Sequence, residues 1–289
     1  MKKSYEIDMC NGPLLGKILV FSIPLMLSGI LQLLFNAADI IVVGRFAGST
    51  ALAAVGSTAS LINLMINVFV GLSVGVNVLA ARYYGAQKEK DIQDTVHTAI
   101  MMAILSGLFL VLLGETASRP MLTLMGTPDD VLDQAALYLK IYFFGMPVLM
   151  IYNFGAALLR AVGDTRRPLY FLFAAGAVNV VLNLFFVIQL GMGVDGVGWA
   201  TVISECVSAG LIIRSLMKEN GAMKLHLTKL RIVSGKLTQI VRVGLPAGMQ
   251  GAIFSISNVL IQSSVNSFGS IAMAGNTASS NIEGFVYTA

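Results

Sequence analysis

The sequence predicts an all-α membrane protein: a polytopic helical bundle with a six-helix N-lobe and the first two helices of a parallel-repeat C-lobe. Three observations predict it. The chain is 56% hydrophobic and only 12% charged, whereas soluble domains carry about 25% charged residues. Its apolar runs reach the ~20 residues that a helix needs to cross a bilayer, and they lack the alternation of membrane β-strands. Segments 222 residues apart also resemble each other.

The apolar runs place seven complete helices and the beginning of an eighth along the chain. The seven helices are predicted at 18–44, 52–80, 93–114, 134–159, 168–190, 194–217 and 237–266, and the eighth begins near residue 271. Residues 1–217 would then form the N-lobe, residues 218–236 a cytoplasmic loop between the lobes, and residues 237–289 the start of the C-lobe.

The basic residues predict the orientation of the chain in the membrane. Sixteen of the 19 lysines and arginines fall on the side that carries the N-terminus, and only Arg45, Arg119 and Lys140 fall on the other. The positive-inside rule therefore predicts a multi-pass protein of the plasma membrane with a cytoplasmic N-terminus. Because this topology accounts for the net charge of +4, we expect the lipid bilayer and no nucleic acid as a partner.

The first apolar run contains a carboxylate, Asp39, close to its end. Ser28, Gln32, Asn36 and Asp39 are spaced 4, 4 and 3 residues apart, which puts them on one face of a helix. A charge at the centre of a bilayer costs about 2.5–3.5 kcal/mol, so such a residue usually faces a protein interior or a water-filled cavity. Pro24 removes one backbone hydrogen bond from this helix and permits a bend.

Asp39 is the strongest candidate for a cation-coupling residue. It is suited to exchanging a proton, or to supplying a charged oxygen to Na⁺ with carbonyl oxygens from Asn36, Asn179 or Asn183, because hard cations prefer oxygen ligands. No other metal site is expected. The alternative is a buried acid that serves helix packing alone.

Polar stripes at helical spacing occur on three further helices. They comprise Ser60, Asn63, Asn67 and Gly71; Gly176, Asn179 and Asn183; and Gly251, Ser255, Asn258 and Gln262. One interpretation is a hydrated cavity with Gln32, Asn63, Asn67, Asn258 and Gln262 as candidate substrate contacts. The other is interhelical hydrogen bonding with small-residue packing, which membrane bundles use generally.

Glu205 lies near the middle of the run at 194–217. It is a candidate for a second proton site or for a counter-charge to a substrate in the cavity. The alternative is a structural acid bonded to neighbouring serine or threonine residues.

The internal repeat predicts that the fold is incomplete in this chain. Aligning Pro24 with Pro246 places Asn36 on Asn258, and after a three-residue gap LAAVGSTAS at 52–60 falls on IAMAGNTAS at 271–279. Six helices separate the copies, so both begin on the same side and the repeat is parallel. Roughly four more helices would complete the second unit, and these missing C-terminal helices are an expected partner.

These segments resemble the multidrug and toxic compound extrusion (MATE) transporters. The resemblance rests on IPLMLSGILQLLFNAADIIVVGR, ALAAVGSTAS, LLRAVGDTRRPL at 158–169 and GVDGVGWATVIS ending at residue 204. It implies twelve helices in two six-helix lobes and an alternating-access antiporter. Such a protein exports small-molecule drugs, organic cations or amphipathic compounds against an inward flow of H⁺ or Na⁺, with no cofactor and no enzymatic activity.

The resemblance also bears on individual residues. Asp39 matches the acid of the family's first helix, which is implicated in cation coupling, and Asn179 matches an Asn in the fifth helix. Some branches carry an Asp where this chain has Asn183, so one titratable group is absent here. Other branches place a Glu in the seventh helix, but no acid lies between Arg242 and Glu283. Asp39 would therefore carry more of the coupling.

Three other functions compete with a secondary active exporter. A flippase for a lipid-linked precursor would need Arg or Lys at membrane depth, and none is evident in the sequence. An intramembrane enzyme would need a catalytic pair at depth, which no motif indicates. A truncated, non-functional fragment is the third. The chain has no GxxxxGK[ST] loop for direct use of ATP.

Overall fold

The computed structural model describes residue 7 and residues 14–288, and its regular structure in this part of the chain is helical. Nine α-helices lie within it: α1 (Leu14–Val42), α2 (Ser49–Gly85), α3 (Glu89–Leu124), α4 (Asp129–Phe144), α5 (Met146–Ala161), α6 (Arg166–Leu184), α7 (Val194–Lys218), α8 (Ser234–Asn266) and α9 (Ser270–Thr288). Short π-helical turns at Val43–Ala47 and Phe185–Gln189 prolong α1 and α6. Two 3₁₀ turns, Gly221–Met223 and Leu227–Lys229, lie between α7 and α8.

Six of the described helices, α1, α2, α3, α6, α7 and α8, are long and apolar enough to cross a membrane, and α4 with α5 makes a seventh span if the bent pair is counted as one. This confirms the prediction of a polytopic helical membrane protein. The predicted eighth run does form a helix, α9, but it is not among the spans that length and composition support.

The helix predicted at 134–159 is interrupted in the structure. It consists of α4 and α5, which meet at Gly145 with a bend of 49°. Pro147 lies two residues after Gly145, and a proline inside a helix lacks the N–H donor and clashes with the carbonyl four residues earlier. Its ring therefore breaks the backbone ladder, and Gly145 N–H closes a tighter turn by donating to the Tyr142 carbonyl at 3.0 Å.

Helices α2 and α8 approach each other closely through glycines. Gly71 and Gly75 of α2 face Gly244 and Gly248 of α8. A Cβ added to Gly244 would lie 2.6 Å from the Cα of Leu72, and a Cβ on Gly71 would overlap the backbone of Gly248. Small residues four apart let helix backbones approach in membrane proteins. This glycine crossing therefore joins the first unit to the first helix of the predicted second unit.

Hydrogen bonds fix α8 at both ends of this crossing. Near the start of α8, Tyr83 Oη on α2 donates to Gln239 Oε1 at 2.7 Å. Near its end, Asn266 Nδ2 donates to the carbonyl oxygen of Met125 at 3.1 Å, in the turn between α3 and α4. The first unit therefore contacts α8 near both of its ends.

Ion pairs reinforce the end at which α8 begins. Lys236 Nζ lies 2.6 Å from Asp91 Oδ1, and Arg231 Nη2 lies 2.6 Å from Asp94 Oδ1. Both acids belong to the first turns of α3. Arg231 in the loop between α7 and α8 and Lys236 in the first turn of α8 therefore bind the first unit directly.

A histidine pair also holds this loop. The backbone N–H of His226 donates to His97 Nε2 at 3.2 Å, and His97 Nδ1 lies 2.7 Å from the carbonyl oxygen of Gln93. Because His97 Nε2 accepts this hydrogen bond, the proton of the ring lies on Nδ1. Desolvation lowers the pKa of His226, and the cations Lys229 and Lys224 lower it further, which favours a neutral His226 ring in its stack on His97.

The glycine crossing predicts the effect of adding a single methyl group. Gly71→Ala forces α2 and α8 apart, and overpacking of this kind costs about 1–3 kcal/mol. We expect a lower thermal unfolding midpoint for the detergent-solubilised full-length protein. The matched control is Gly210→Ala in α7, where an added Cβ has nothing within 4 Å and helix propensity favours Ala by about 1 kcal/mol. Equal thermal unfolding midpoints for Gly71→Ala and Gly210→Ala would contradict the close contact between α2 and α8.

Candidate functional site

A hydrogen-bonded polar network surrounds Asp39 where α1, α6 and α7 meet. Asn183 Nδ2 donates to Asp39 Oδ1 and also to Asn179 Oδ1, the latter at 3.1 Å. Asn179 Nδ2 in turn lies 3.4 Å from Thr201 Oγ1 on α7. We call these four residues the Asp39 network. Of the four residues predicted for cation coupling, the structure brings Asp39, Asn179 and Asn183 together.

The way in which α1 packs against α6 explains why Asp39, Asn179 and Asn183 lie together. The ring of Phe35 lies directly on the backbone of Gly176, where any Cβ would overlap it. Phe35 precedes Asp39 by one helical turn, and Gly176 precedes Asn179 by almost one turn. The contact between an aromatic ring and a glycine therefore places the carboxylate of α1 opposite the two asparagines of α6.

The hydrogen bonds of Asn183 leave one oxygen available. Its two amide hydrogens are both donated, to Asp39 and to Asn179. Its Oδ1 is buried and accepts no hydrogen bond from the described residues. A buried polar atom without a partner costs free energy. An oxygen of this kind beside a carboxylate is therefore suited to a proton or a hard cation.

The surroundings of Asp39 suit the same ligands, a proton or a hard cation. The described residues include no salt bridge to Asp39, and its hydrogen-bond partner in the network is a neutral amide. Carboxylate and carbonyl-type oxygens suit Na⁺-like cations better than soft metals. No three His, Cys, Asp or Glu side chains converge as a metal site anywhere in the described part of the chain.

Two tyrosines of α4 lie near both acids of this region. Tyr138 and Tyr142 on α4 are each within electrostatic range of both Asp39 and Glu205. Glu205 is partly buried beside the α4–α5 bend, where its Oε2 would lie 3.3 Å from a Cβ built on Gly145. The bend thus faces the same polar region as the Asp39 network.

Thr201, Tyr138 and Tyr142 were not identified from the sequence. Thr201 and Glu205 are four residues apart on one helix, as are Tyr138 and Tyr142. That spacing, which identified the other polar stripes, was the available signal for both pairs.

Two predicted cavity residues instead take part in the packing of α8. Asn67 Nδ2 donates to Ser255 Oγ at 2.8 Å, across the α2–α8 contact. Gln262 is buried, and its Nε2 donates to Asn266 Oδ1 at 2.9 Å. The Asn67 bond joins two helices, which is the alternative that the sequence left for that stripe. The Gln262 bond lies within α8 and positions Asn266, which donates to the Met125 carbonyl on the first unit. The place of Asn67 and Gln262 in a substrate cavity stays a prediction.

The remaining predicted residues are exposed on the described helices. They are Gln32, Asn36, Asn63 and Asn258. Asn36 precedes Asp39 by three residues but is not part of the hydrogen bonds that define the Asp39 network. Its place in cation coupling, and the place of the other three in a substrate cavity, stay predictions.

Comparison with known proteins agrees with this architecture. The MatE family model matches residues 24–185. The probable multidrug resistance protein YoeA of Bacillus subtilis is 31% identical over 276 residues, which cover 92% of this chain and 59% of YoeA. The chain therefore spans less than two thirds of that relative's length.

Two solved structures give the same result. One is a multidrug resistance MATE family transporter of the MOP superfamily in an inward-facing conformation, with a TM-score of 0.79 and 26% identity over 86% of this chain and 56% of that one. The other is a MATE protein in the bent conformation, with a TM-score of 0.78 and 28% identity over 84% of this chain and 54% of that one. With its helical architecture and the matched family segment, this chain belongs to the MATE family of membrane transporters.

Proposed function

We propose that the chain supplies the N-lobe and the start of the C-lobe of a secondary active multidrug exporter that couples to H⁺ or Na⁺ at Asp39. The observation that carries this proposal is the carboxylate of Asp39, which has no cationic partner among the described residues and lies beside an amide oxygen of Asn183 that has no hydrogen-bond partner among them. Residues 1–217 form the first lobe, 218–236 the loop between the lobes, and 237–289 the start of the second. Members of this family are transporters and not enzymes.

Cation binding would rearrange the contact between α1 and α6. An ionised Asp39 accepts a hydrogen bond from Asn183. A protonated Asp39 could instead donate to the free Oδ1 of Asn183, and Na⁺ would draw both oxygens toward itself. Either change acts on α1, which contains Pro24 and is therefore able to bend. The ionisation state of one carboxylate would thus bias the shape of a whole helix.

The driving force is sufficient for export. One pH unit supplies ~1.4 kcal/mol for each proton, enough for about a tenfold concentration ratio of substrate. Exchange of one proton for a monovalent organic cation is electroneutral and gains nothing from the membrane potential. Export of a neutral amphipathic compound gains about 2.3 kcal/mol per 100 mV.

The remaining helices of a complete transporter would cover a large apolar surface on α8. Ile253, Phe254 and Leu260 are 63%, 68% and 65% exposed. These side chains suit packing against further membrane helices, in agreement with the 59% of YoeA that the chain spans. The exposed asparagines and Gln32 would line the cavity between the completed lobes, with the N-terminus in the cytoplasm and the protein in the plasma membrane.

Removing the charge of Asp39 tests the coupling. In the full-length protein, Asp39→Asn should abolish ion-driven efflux from proteoliposomes while membrane insertion is unchanged, because an amide neither exchanges a proton nor offers Na⁺ a charged ligand. Separate pH and Na⁺ gradients identify the ion. The control is Asp133→Asn, an exposed acid paired with Arg119 at 3.0 Å. Efflux at the rate of the unmodified protein would refute the proposal.

Glu205 would act as a counter-charge for cationic substrates. Glu205→Gln should raise the KM for a cationic substrate about tenfold, corresponding to ~1.4 kcal/mol, and leave the KM for a neutral compound of similar shape nearly unchanged. Transport assays with such a matched pair measure both. Glu115→Gln is the control, since Glu115 is exposed and paired with Lys140 at 3.3 Å. An equal effect on both substrates would argue against a counter-charge.

A further inference from the structure

A pocket of about 520 Å³ lies between the end of α2 and the beginning of α8. It is remote from the Asp39 network, which lies near the C-terminal ends of α1 and α6. The pocket's walls belong to the first unit on one side and to α8 on the other. Its lining includes Val78, Leu79, Arg82, Lys88, Arg242 and Val243.

Three cations line this pocket, and none of the described residues that line it is acidic. Arg82 is on α2, Lys88 follows in the turn before α3, and Arg242 is on α8. All three are exposed, and none forms a salt bridge with the described residues. The pocket therefore presents concentrated positive charge without an internal counter-ion.

Glu89 directly follows Lys88, but it is exposed and is not among the residues that line the pocket. The other nearby acids, Asp91 and Asp94, have partners. Asp91, which is within electrostatic range of Lys88, lies 2.6 Å from Lys236. Asp94 lies 2.6 Å from Arg231. The ion pairs that hold α8 to α3 thus leave the positive charge of the pocket for an external anion.

The apolar part of the lining lies toward the membrane interior. Val78 precedes Arg82 by one turn of α2, and Val243 follows Arg242 on α8, which runs in the opposite direction through the bilayer. Val78 and Val243 are 47% and 40% exposed. A ligand that fits this arrangement has an anionic head beside an apolar body.

We propose that this pocket binds an anionic phospholipid of the cytoplasmic leaflet, with its phosphate between Arg82, Lys88 and Arg242 and its acyl chains along Val78 and Val243. Basic pockets between helices on the cytoplasmic side suit acidic head groups, and guanidinium groups match phosphate oxygens in pairs. The placement of this end in the cytoplasm follows from the excess of basic residues there. The site does not depend on transport activity.

The bound lipid would connect the two units. Arg82 and Arg242 belong to helices of different units, and the Tyr83–Gln239 hydrogen bond of 2.7 Å already joins the same two helices within the pocket. A phosphate bound to both arginines would add a second connection there. Lipid binding should therefore stabilise the α2–α8 contact.

Native mass spectrometry of the full-length protein tests this site. The protein is incubated with phosphatidylglycerol or with phosphatidylcholine of the same acyl chains, and the retained lipid is counted. We expect preferential retention of phosphatidylglycerol, with affinity falling about fivefold for each arginine replaced in Arg82→Gln and Arg242→Gln. Arg119→Gln, at the other end of the bundle, is the control and should leave retention unchanged.

Two further measurements distinguish the possible explanations of the result. Arg82→Lys with Arg242→Lys preserves the charge and should keep the preference for phosphatidylglycerol, which separates loss of charge from loss of fold. Glycerol 3-phosphate, a soluble ester without acyl chains, should fail to displace the lipid. The proposal is overturned if the glutamine variants retain phosphatidylglycerol as the unmodified protein does, if both lipids bind equally, or if the soluble ester displaces the lipid.

Discussion

The bare backbone contact between α2 and α8 is the constraint on which the arrangement of the two units depends. In a bilayer, helices gain little from burying apolar side chains because lipid is equally apolar, so close packing and hydrogen bonds must hold them together. Gly71 and Gly248 provide that packing, with backbone atoms where side chains would normally stand. This approach brings Asn67 within 2.8 Å of Ser255 and Tyr83 within 2.7 Å of Gln239.

The Asp39 network follows from a similar constraint at a second crossing. Gly176 admits the ring of Phe35 and so fixes α1 against α6. The result is a carboxylate with amide neighbours in place of a lysine or arginine. A permanent cation would neutralise the charge of Asp39 in every state of the protein, whereas neutral amides do not. The buried oxygen of Asn183, which has no partner among the described residues, adds a second oxygen beside this carboxylate.

The sequence predicted most of the membrane-spanning helices and singled out Asp39, but it did not predict every contact. Long apolar runs predicted α1, α2, α3, α6, α7 and α8, because crossing a bilayer imposes length and composition together. The bend at Gly145 was missed, since hydropathy is continuous through Pro147 while the backbone is not. The network partner Thr201 was missed because one hydroxyl in an apolar helix also satisfies itself, here by donating to the Val197 carbonyl at 3.0 Å.

Polar spacing alone could not decide what each asparagine or glutamine does. A stripe that lines a cavity and a stripe that bonds a neighbouring helix have the same period, and Asn67 makes the second kind of contact, with Ser255 on α8. Asn179 and Asn183 have the same spacing of four residues but meet a carboxylate. The difference lies in which helix packs against the stripe. The positions of the glycines determine this packing, and a hydropathy pattern hardly reveals them.

The repeated motif shows why similar sequence does not impose equal packing. Gly56 of LAAVGSTAS receives the side chain of Thr277, which belongs to the matching segment IAMAGNTAS. Its counterpart Gly275 has nothing within 4 Å of an added Cβ, and Thr58, the counterpart of Thr277, is buried and donates to the carbonyl of Val55 at 2.7 Å. The contact between the two segments is therefore not symmetric, although their sequences are alike. Similar sequence alone does not fix how each segment packs, because the helices around each segment differ.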